Sequence, residues 1–288
     1  MTAIIFGAGG QDGYYLTKLL EEKNIDVVGI SRREGFLNID ISSYENVSEL
    51  IKNYKPEYIF HFAANSTTRH DAMFENHTTI STGTLNILES VKNHSHLTKV
   101  FISGSGLQFK NENQPIKETD PFEARDAYSV SRIQSVYAAR YFRTSGIKVY
   151  VGYFFNHDSP LRTERHMTKR IAEAAKRIRN GSEEKLLIGD IDVVKEYTYA
   201  GDVVKGIWTL TNQEEIFEAN ISSGKGYSIK DWLQECFTYI NKDWKDYISV
   251  EEGFISEYKM LLSDPSLIFS LGWEPEVSFH ELAKIMME

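Results

Sequence analysis

Short apolar runs alternate with amphipathic stretches along the first half of the chain. The apolar runs have no polar face, which is typical of parallel strands that helices cover on both sides. Strands are predicted at residues 2–6, 26–30, 58–63, 99–103 and 148–155. Helices are predicted between them at residues 12–23, 47–54, 79–93 and 127–144. This alternation predicts an α/β fold with a doubly wound parallel sheet, in which ligands bind at the carboxyl ends of the strands.

The pattern becomes less regular after Pro160. Helices are predicted there at residues 166–180, 200–211, 228–239, 263–271 and 278–287, and short strands at 185–188, 195–198 and 217–221. We therefore expect a larger domain of residues 1–155 with about 190–213, and a smaller α/β C-terminal domain of residues 156–189 and 214–288. The smaller domain is expected to cover the carboxyl edge of the sheet.

The turn after the first predicted strand contains three glycines at three-residue spacing, Gly7, Gly10 and Gly13, with Gln11 and Asp12 between them. A strand, a glycine-rich turn and a helix in this order let the backbone approach a pyrophosphate, which the helix N-terminus attracts. The segment therefore predicts dinucleotide binding by a Rossmann-type sheet. The alternative for a glycine triplet by itself is an ordinary loop.

The edge of the second predicted strand carries Ser31, Arg32 and Arg33. A carboxylate at this place binds the ribose hydroxyls of NAD, whereas an arginine fork suits the 2′-phosphate of NADP. The sequence therefore favours NADP, with NAD as the alternative cofactor. The structural alternative for these residues is a solvated basic turn.

Two further segments are candidates for contacting the dinucleotide. Asp40 can accept a hydrogen bond from the adenine amino group while Ile41 packs on the ring, although Asp40 also fits a capping region before the next helix. Ala63 and Ala64 end the third predicted strand, where small residues let the backbone lie against the cofactor. A packed strand end explains these alanines equally well. Ser66, which follows them, is a candidate for contacting the substrate.

The reaction chemistry is expected at the end of the fourth strand, residues 103–107, and at the start of the following helix, residues 128–132. Tyr128 and Arg132 are one helical turn apart and share a face. The cation can stabilise the phenolate and hold the nicotinamide ribose, and the Ser105 hydroxyl can polarise the same substrate oxygen. Together these groups can move a proton while a nicotinamide moves a hydride. The alternative for any one tyrosine is a structural role.

Composition narrows the range of partners. The 288 residues carry a formal net charge of −9 and one cysteine, Cys236. The acidic balance argues against nucleic acid as a partner, and one cysteine excludes a disulfide framework or a multi-cysteine metal site, so no metal ion is expected. The sequence shows no signal-peptide pattern and no apolar stretch long enough to span a bilayer, so we expect a cytoplasmic protein without membrane contact.

These residues resemble the extended short-chain dehydrogenase/reductases that act on nucleotide sugars, and among them the GDP-mannose 4,6-dehydratases. The resemblance rests on residues 7–13, 29–33, 155–160, 196–202 and 271–275. It implies an NAD(P)-binding first domain and a second domain that binds the nucleotide sugar, with a guanine base inferred from residues 156–160.

The same resemblance assigns roles to individual residues. It implies that Tyr128 is the acid/base and that Ser105 is its partner on the sugar oxygen. It also implies that Asn156 contacts the diphosphate of the substrate and that Arg162 lies nearby. Lys195 stands where the family commonly has an arginine near the phosphates, and the alternative for Lys195 is a charge on an exposed edge strand.

Three positions depart from the family pattern. The Tyr-x-x-x-Lys motif of the family ends here in Arg132, whose planar fork does not overlay an ammonium group. An acid that the dehydratases use on the C5 proton and the C6 hydroxyl corresponds here to Leu107, which transfers no proton. Phe254 stands where the family has an arginine near the diphosphate.

Three functions fit these features. The first is an NAD(P)-dependent oxidoreductase or epimerase that acts at or near C4 of a GDP-linked hexose or 6-deoxyhexose. The second is a GDP-mannose 4,6-dehydratase with an atypical active site, in which Glu118, Glu123, His157 or Asp158 replaces the missing acid. The third is a nucleotide-binding relative that has lost catalysis and acts as a regulator or assembly partner.

The resemblance also implies an oligomer. Relatives pair through two long helices, here the predicted helices at 79–93 and 127–144, which makes a four-helix contact. A homodimer or homotetramer is therefore expected, and the alternative is that both helices are simply buried within one chain.

Overall fold

The computed structural model describes residues 1–288 and is built around a parallel sheet of six strands. In chain order the strands are β1 (Thr2–Phe6), β2 (Asp26–Ile30), β3 (Tyr58–His61), β4 (Lys99–Ser105), β5 (Val149–Phe154), β6 (His157–Asp158), β7 (Leu186–Ile188), β8 (Val194–Glu196), β9 (Thr198–Tyr199), β10 (Glu218–Ile221), β11 (Gly226–Ser228), β12 (Ile248–Val250) and β13 (Met260–Leu261).

The helices lie between and around these strands. In chain order they are α1 (Gln11–Glu22), α2 (Tyr44–Tyr54), α3 (Met73–Asn76), α4 (Gly83–His94), α5 (Ala127–Arg143), α6 (Met167–Arg179), α7 (Ala200–Thr211), α8 (Ile229–Tyr239), α9 (Ser266–Ser270) and α10 (Phe279–Met287). Short 3₁₀ turns occur at His70–Ala72, Gly106–Gln108 and Trp244–Asp246, and a π-helical turn at His77–Thr82. None of the helices combines the length and the apolar character needed to cross a bilayer.

The large sheet has the strand order β10-β5-β4-β3-β1-β2, with all neighbours parallel. The order reverses at β1, because β2 lies on one side of it and β3 on the other. In doubly wound sheets this reversal opens a crevice at the carboxyl ends of the strands, where ligands bind. The topology therefore places a ligand cleft next to the turn that follows β1.

Both faces of this sheet are buried, which explains the continuous apolar runs in the sequence. Residues in register across β1, β3, β4 and β5 form one row on each face: Ile4, Ile59, Val100 and Val149 on one, and Ile5, Phe60, Phe101 and Tyr150 on the other. The two rows belong to different core clusters, so each face packs against its own layer of helices. The predicted doubly wound α/β fold is confirmed.

A separate apolar core lies among α6, α8 and α10, with Trp232 and Phe237 fully buried in it. Three small sheets accompany it, with the orders β11-β8-β13, β12-β7 and β6-β9. The strand that carries Lys195, β8, is the central strand of the first of these sheets. The alternative interpretation of Lys195, a charge on an exposed edge strand, is therefore wrong. The domain boundaries given above stay a prediction.

Several element boundaries differ from those predicted. The helix predicted at 79–93 begins earlier, since the chain is helical from Met73 onward through the π-helical turn and α4. Its buried face includes the polar residues Asn76 and Ser81. They interrupt the apolar periodicity from which the start of the helix would be predicted. The helix predicted at 263–271 is helical only over Ser266–Ser270 because Pro265 precedes it. Strands β12 and β13 were too short to show a periodic pattern.

Candidate active site

A cleft of about 1350 Å³, its open mouth included, lies at the carboxyl ends of β1, β3, β4 and β5. It brings together most of the predicted site residues: Gly7, Gly10, Gln11, Asp12, Gly13, Arg33, Ala64, Ser66, Ser105, Tyr128, Arg132, Asn156 and Arg162. The other predicted site residues do not line it: Ser31, Arg32, Asp40, Ile41, Ala63 and Lys195. Phe254 is also outside the cleft, and its ring covers Gly189.

The glycine turn has no room for side chains. Gly7 has a φ of +92°, and a Cβ atom added to it would lie 2.7 Å from the backbone nitrogen of Ala63. A Cβ atom on Gly13 would lie 2.5 Å from the carbonyl oxygen of Gly7. Gly10 caps α1 without a side-chain hydrogen bond, so the first N–H groups of the helix are open to a ligand. This close approach of bare backbone to a helix N-terminus fits a dinucleotide pyrophosphate.

Of the two arginines after β2, Arg33 is the one that faces the cleft. The Arg33 side chain lies over the glycine turn: a Cβ atom added to Gly9 would be 2.9 Å from the Arg33 Cδ. Ser31 supports this turn, since its hydroxyl accepts a hydrogen bond of 3.1 Å from the Arg33 backbone N–H. Arg32 points away, with 84% of its side chain exposed, and pairs with Glu75 at 3.4 Å.

The proposed adenine contacts lie outside the cleft in this structure. The Asp40 carboxylate accepts hydrogen bonds from the Ser42 backbone N–H at 2.9 Å and the Ser42 hydroxyl at 2.7 Å. These bonds lower the pKa of Asp40, and they match the capping alternative for this residue. The Ile41 side chain packs against Gly83 at the start of α4. Ala63 contributes its backbone, which donates to the Phe6 carbonyl at 3.0 Å.

Tyr128 and Ser105 are held by the ends of their elements. Asp126 caps α5 by accepting hydrogen bonds of 2.8 Å from the backbone N–H groups of Tyr128 and Ser129, which places Tyr128 in the first turn of the helix. Ser105 ends β4, and its hydroxyl oxygen accepts from the Leu107 backbone N–H at 3.2 Å. The hydroxyl hydrogen of Ser105 is therefore left for a ligand.

Arg132 lies beneath the Tyr128 ring, with its guanidinium carbon 4.9 Å from the ring centroid. Its Nη1 donates to the carbonyl and hydroxyl oxygens of Ser103, at 2.5 and 2.7 Å. The Ser103 hydroxyl in turn donates to the carbonyl of His61 at 3.0 Å. Burial and the Arg132 charge lower the pKa of His61 to about 3, so this imidazole is neutral. A fixed cation in this position stabilises negative charge that develops on the phenol oxygen.

The cleft is positively charged although the whole chain is acidic. Four arginines line it, Arg33, Arg132, Arg162 and Arg165, whereas Asp12 is the only carboxylate among the lining residues. A site with this charge favours anionic ligands. The substrate side of the cleft is held together by Arg162, which donates to the His157 carbonyl at 2.9 Å and to the His166 ring at 3.2 Å. Burial and the Arg162 charge lower the pKa of His166 to about 4, which leaves that ring neutral.

Lys195 lies behind this group. It is half-buried on β8, and burial lowers its pKa. Its ammonium nitrogen is 5.6 Å from the centroid of the Tyr197 ring. The cation is thus held within the smaller sheet, close to Asp158 and Arg162.

No free carboxylate faces Tyr128 and Ser105 across the cleft. Leu107 occupies the 3₁₀ turn after Ser105 and packs against the apolar core. An acidic side chain at position 106, one residue before Leu107, would clash with Phe155, because a Cβ atom on Gly106 would lie 2.7 Å from the Phe155 ring. The wall next to the reactive groups is consequently apolar.

The four candidates for a replacement acid are engaged elsewhere. The Glu118 carboxylate accepts from the Asn220 backbone N–H at 2.7 Å, and Glu123 pairs with Arg125. Asp158 accepts from the Thr168 hydroxyl at 2.8 Å and does not line the cleft. His157 does line the cleft, but its Nε2 is 2.9 Å from Asp12.

Sequence reasoning missed several residues of the cleft. Among them are Thr67, Thr68, Arg165, His166 and Tyr258. Ser103 was predicted only as part of the segment 103–107. Its role as acceptor for Arg132 depends on the burial of that arginine, which the sequence does not show.

The model of the family described as GDP-mannose 4,6 dehydratase matches residues 33–286. The chain belongs to the GDP-mannose 4,6 dehydratase family. It is 29% identical to GDP-mannose 4,6 dehydratase 1 of Arabidopsis thaliana, and the alignment covers 99% of this chain and 88% of that protein. The family resemblance inferred from the sequence is confirmed, and with it the prediction of a nucleotide-sugar enzyme.

Solved structures show the same fold at lower sequence identity. RMD from Pseudomonas aeruginosa complexed with NADPH has a TM-score of 0.87 at 19% identity, covering 99% of this chain and 96% of that chain. UDP-glucose 4-epimerase from Thermus thermophilus, in complex with NAD, has a TM-score of 0.84 at 19% identity, covering 100% of this chain and 98% of that chain. At this sequence identity, the two similarities establish a shared fold.

Proposed function

We propose that the chain is a nicotinamide-dependent oxidoreductase or epimerase that acts at or near C4 of a GDP-linked hexose, in particular a 6-deoxyhexose. The observation that carries this proposal is the composition of the cleft: a tyrosine, a serine and a buried arginine stand together, and no free acid accompanies them. Hydride exchange at C4 needs these three groups alone. Elimination of the C6 hydroxyl needs a further group that takes the C5 proton, and its absence costs a factor of roughly 10²–10⁴.

In this mechanism the Tyr128 phenol donates its proton to the C4 oxygen, or accepts it in the reverse direction. The Ser105 hydroxyl donates a hydrogen bond to the same oxygen. Arg132 remains charged throughout and stabilises the phenolate while it exists. When bound, the nicotinamide ring supplies or accepts the hydride.

The substrate would be held by residues on the positive side of the cleft. Asn156 and Arg162 follow β5 and would contact the diphosphate, with Lys195 contributing charge from behind. Ser66 also lines the cleft and would contact the sugar. The apolar wall at Leu107 and Phe155 suits a methyl group at C6, because a hydroxyl buried there would lose its hydrogen bonds to water.

The proposal is tested by incubating the protein with NADPH and either GDP-4-keto-6-deoxymannose or GDP-mannose. We expect NADPH oxidation or a changed sugar configuration with the keto sugar, and no 4-keto-6-deoxy product from GDP-mannose. Introducing an acid by Leu107→Glu should create measurable dehydration of GDP-mannose. Dehydration of GDP-mannose by the wild type would instead favour an atypical 4,6-dehydratase, the candidate that the names of the sequence relatives support.

We propose NADP as the cofactor, with NAD as the alternative. Arg33 supports NADP because it lines the cleft beside the glycine turn and has no ionic partner. Arg33→Ala should weaken NADP⁺ binding about 10- to 100-fold, since a hydrogen bond to a charged group contributes about 1.5–3 kcal/mol, and should leave NAD⁺ binding unchanged. Isothermal titration with both dinucleotides measures this. Arg32→Ala is the matched control, and an equal loss in both variants would contradict the assignment.

We propose that the larger sheet forms the dinucleotide-binding domain and that the separate core around Trp232 belongs to the domain that binds the nucleotide sugar. We also propose a cytoplasmic homodimer or homotetramer that pairs through α4 and α5. Large apolar side chains on the outer faces of these helices support this pairing: Leu85, Val130, Tyr137 and Tyr141 are exposed.

A further inference from the structure

The start of α1 is tied to the segment after β5 by a buried set of side-chain hydrogen bonds. The Ser159 hydroxyl donates to Gln11 Oε1 at 2.8 Å, and Gln11 Nε2 donates to the carbonyl of His157 at 3.3 Å. His157 Nε2 is 2.9 Å from the Asp12 carboxylate. Gln11 and Asp12 are the first two residues of α1, where the pyrophosphate is expected, and His157 directly follows Asn156 of the substrate side.

Both ring nitrogens of His157 face acceptors. Nε2 meets the Asp12 carboxylate, and Nδ1 is 2.9 Å from the carbonyl oxygen of Phe155. A neutral imidazole has one N–H group and can satisfy only one of these acceptors, whereas an imidazolium satisfies both. The His157 side chain is 8% exposed, so a missing donor has little access to water as a replacement. Burial alone would lower the pKa of His157, but the charge and hydrogen bond of Asp12 outweigh it and raise the pKa.

An uncompensated negative charge on Asp12 would weaken binding of the proposed cofactor. Its carboxylate lies in the first turn of α1, beside the N–H groups that would hold the pyrophosphate. Like charges in such a partly enclosed site repel each other strongly. The charged and titratable groups around His157 are Asp12 on α1, Asp158 next to it, Arg162 and His166 in the following segment, and Tyr199 on β9. Asp12 is the one that accepts a hydrogen bond from the ring.

We propose that His157 is a positioning residue that acts as a buried imidazolium: it neutralises Asp12 at the pyrophosphate site and joins the cofactor helix to the segment that binds the substrate. This role rests on the proposed dinucleotide site. It predicts that the cofactor and the substrate segment share one rigid support. It also predicts that the contribution of His157 depends on the charge of Asp12.

The test is a double-mutant cycle read by NADP⁺ binding, without any sugar present. His157→Gln keeps a donor toward Asp12 but removes the charge, and it should weaken NADP⁺ binding about tenfold or more at pH 7.5. Asp12→Asn together with His157→Gln should restore binding to within about threefold of the wild type, because additivity fails for coupled neighbours. His280→Gln, which changes an exposed histidine paired with Glu235 outside the cleft, should leave NADP⁺ binding unchanged.

A second readout is the ¹⁵N spectrum of the histidine rings in the free protein at pH 7.5, assigned with His157→Gln. We expect both nitrogens of His157 to be protonated. A neutral His157 ring, or no recovery of binding in the double variant, would overturn the role proposed for His157. Failure of the wild type to bind NADP⁺ or NAD⁺ would overturn the dinucleotide site itself, while the ring signals would still show whether the imidazolium exists.

Discussion

Tyr128→Phe is expected to lower kcat about 10²- to 10⁴-fold, because the ring keeps its packing but loses the proton that it exchanges with the C4 oxygen. Dinucleotide affinity and unfolding free energy should stay close to the wild-type values, since Tyr128 is held at the start of α5 by its backbone N–H, which donates to Asp126 and which phenylalanine retains. The measurement is steady-state kinetics with the keto sugar and NADPH, together with urea unfolding.

Tyr137→Phe is the matched control for this change. Tyr137 lies on the same helix, α5, but 58% of it is exposed outside the cleft. The control should keep wild-type kcat. If Tyr128→Phe kept more than a tenth of wild-type kcat, the phenol would not be the acid/base and another donor would have to be sought in the cleft.

Gly7→Ala is expected to abolish dinucleotide binding and to destabilise the fold. The added methyl group would lie 2.7 Å from the Ala63 backbone nitrogen and 2.9 Å from the Phe62 carbonyl carbon, and neither can move without disturbing β3. The residue would also have to keep a φ of +92°, which costs an alanine roughly 1–2 kcal/mol by itself. The turn would open and α1 would shift from the position that binds the pyrophosphate.

Gly181→Ala separates the steric clash from the cost of a positive φ. Gly181 has a φ of +98°, and a Cβ atom there would meet nothing within 4 Å. This control should therefore show only the conformational cost and should bind NADP⁺ normally. Urea unfolding and NADP⁺ titration of both variants measure the difference. Equal behaviour of the two would mean that the close approach at Gly7 has no role in the site.

Local patterns in the sequence were sufficient to predict the framework of the site. Gly7, Gly10 and Gly13 lie within one turn, so their spacing is a local signal, and the structure has a tight glycine turn there. Tyr128 and Arg132 share a helix face by simple periodicity, and they lie together in the cleft. Five of the six strands of the large sheet follow from apolar runs in the first half of the chain, because both faces of the sheet are buried. The sixth strand, β10, lies in residues that were expected in the smaller domain.

The contacts that the sequence could not predict join distant parts of the chain. Arg132 uses Ser103 as its acceptor across 29 positions, and His157 pairs with Asp12 across 145 positions. No local pattern encodes such pairs, because they depend on how the strand ends meet. The position of Lys195 also depends on the order of a small three-stranded sheet, and short strands leave little signal in a sequence.

Transfer of deuterium from NADPH labelled at nicotinamide C4 measures hydride exchange at the sugar C4 directly. After incubation with GDP-4-keto-6-deoxymannose, we expect deuterium at C4 of the product sugar, found by mass spectrometry and NMR, and none with Tyr128→Phe. Product sugar without deuterium at C4 would contradict hydride exchange at that carbon. Formation of 4-keto-6-deoxy sugar from GDP-mannose by the same preparation would contradict the claim that the cleft lacks an acid for elimination.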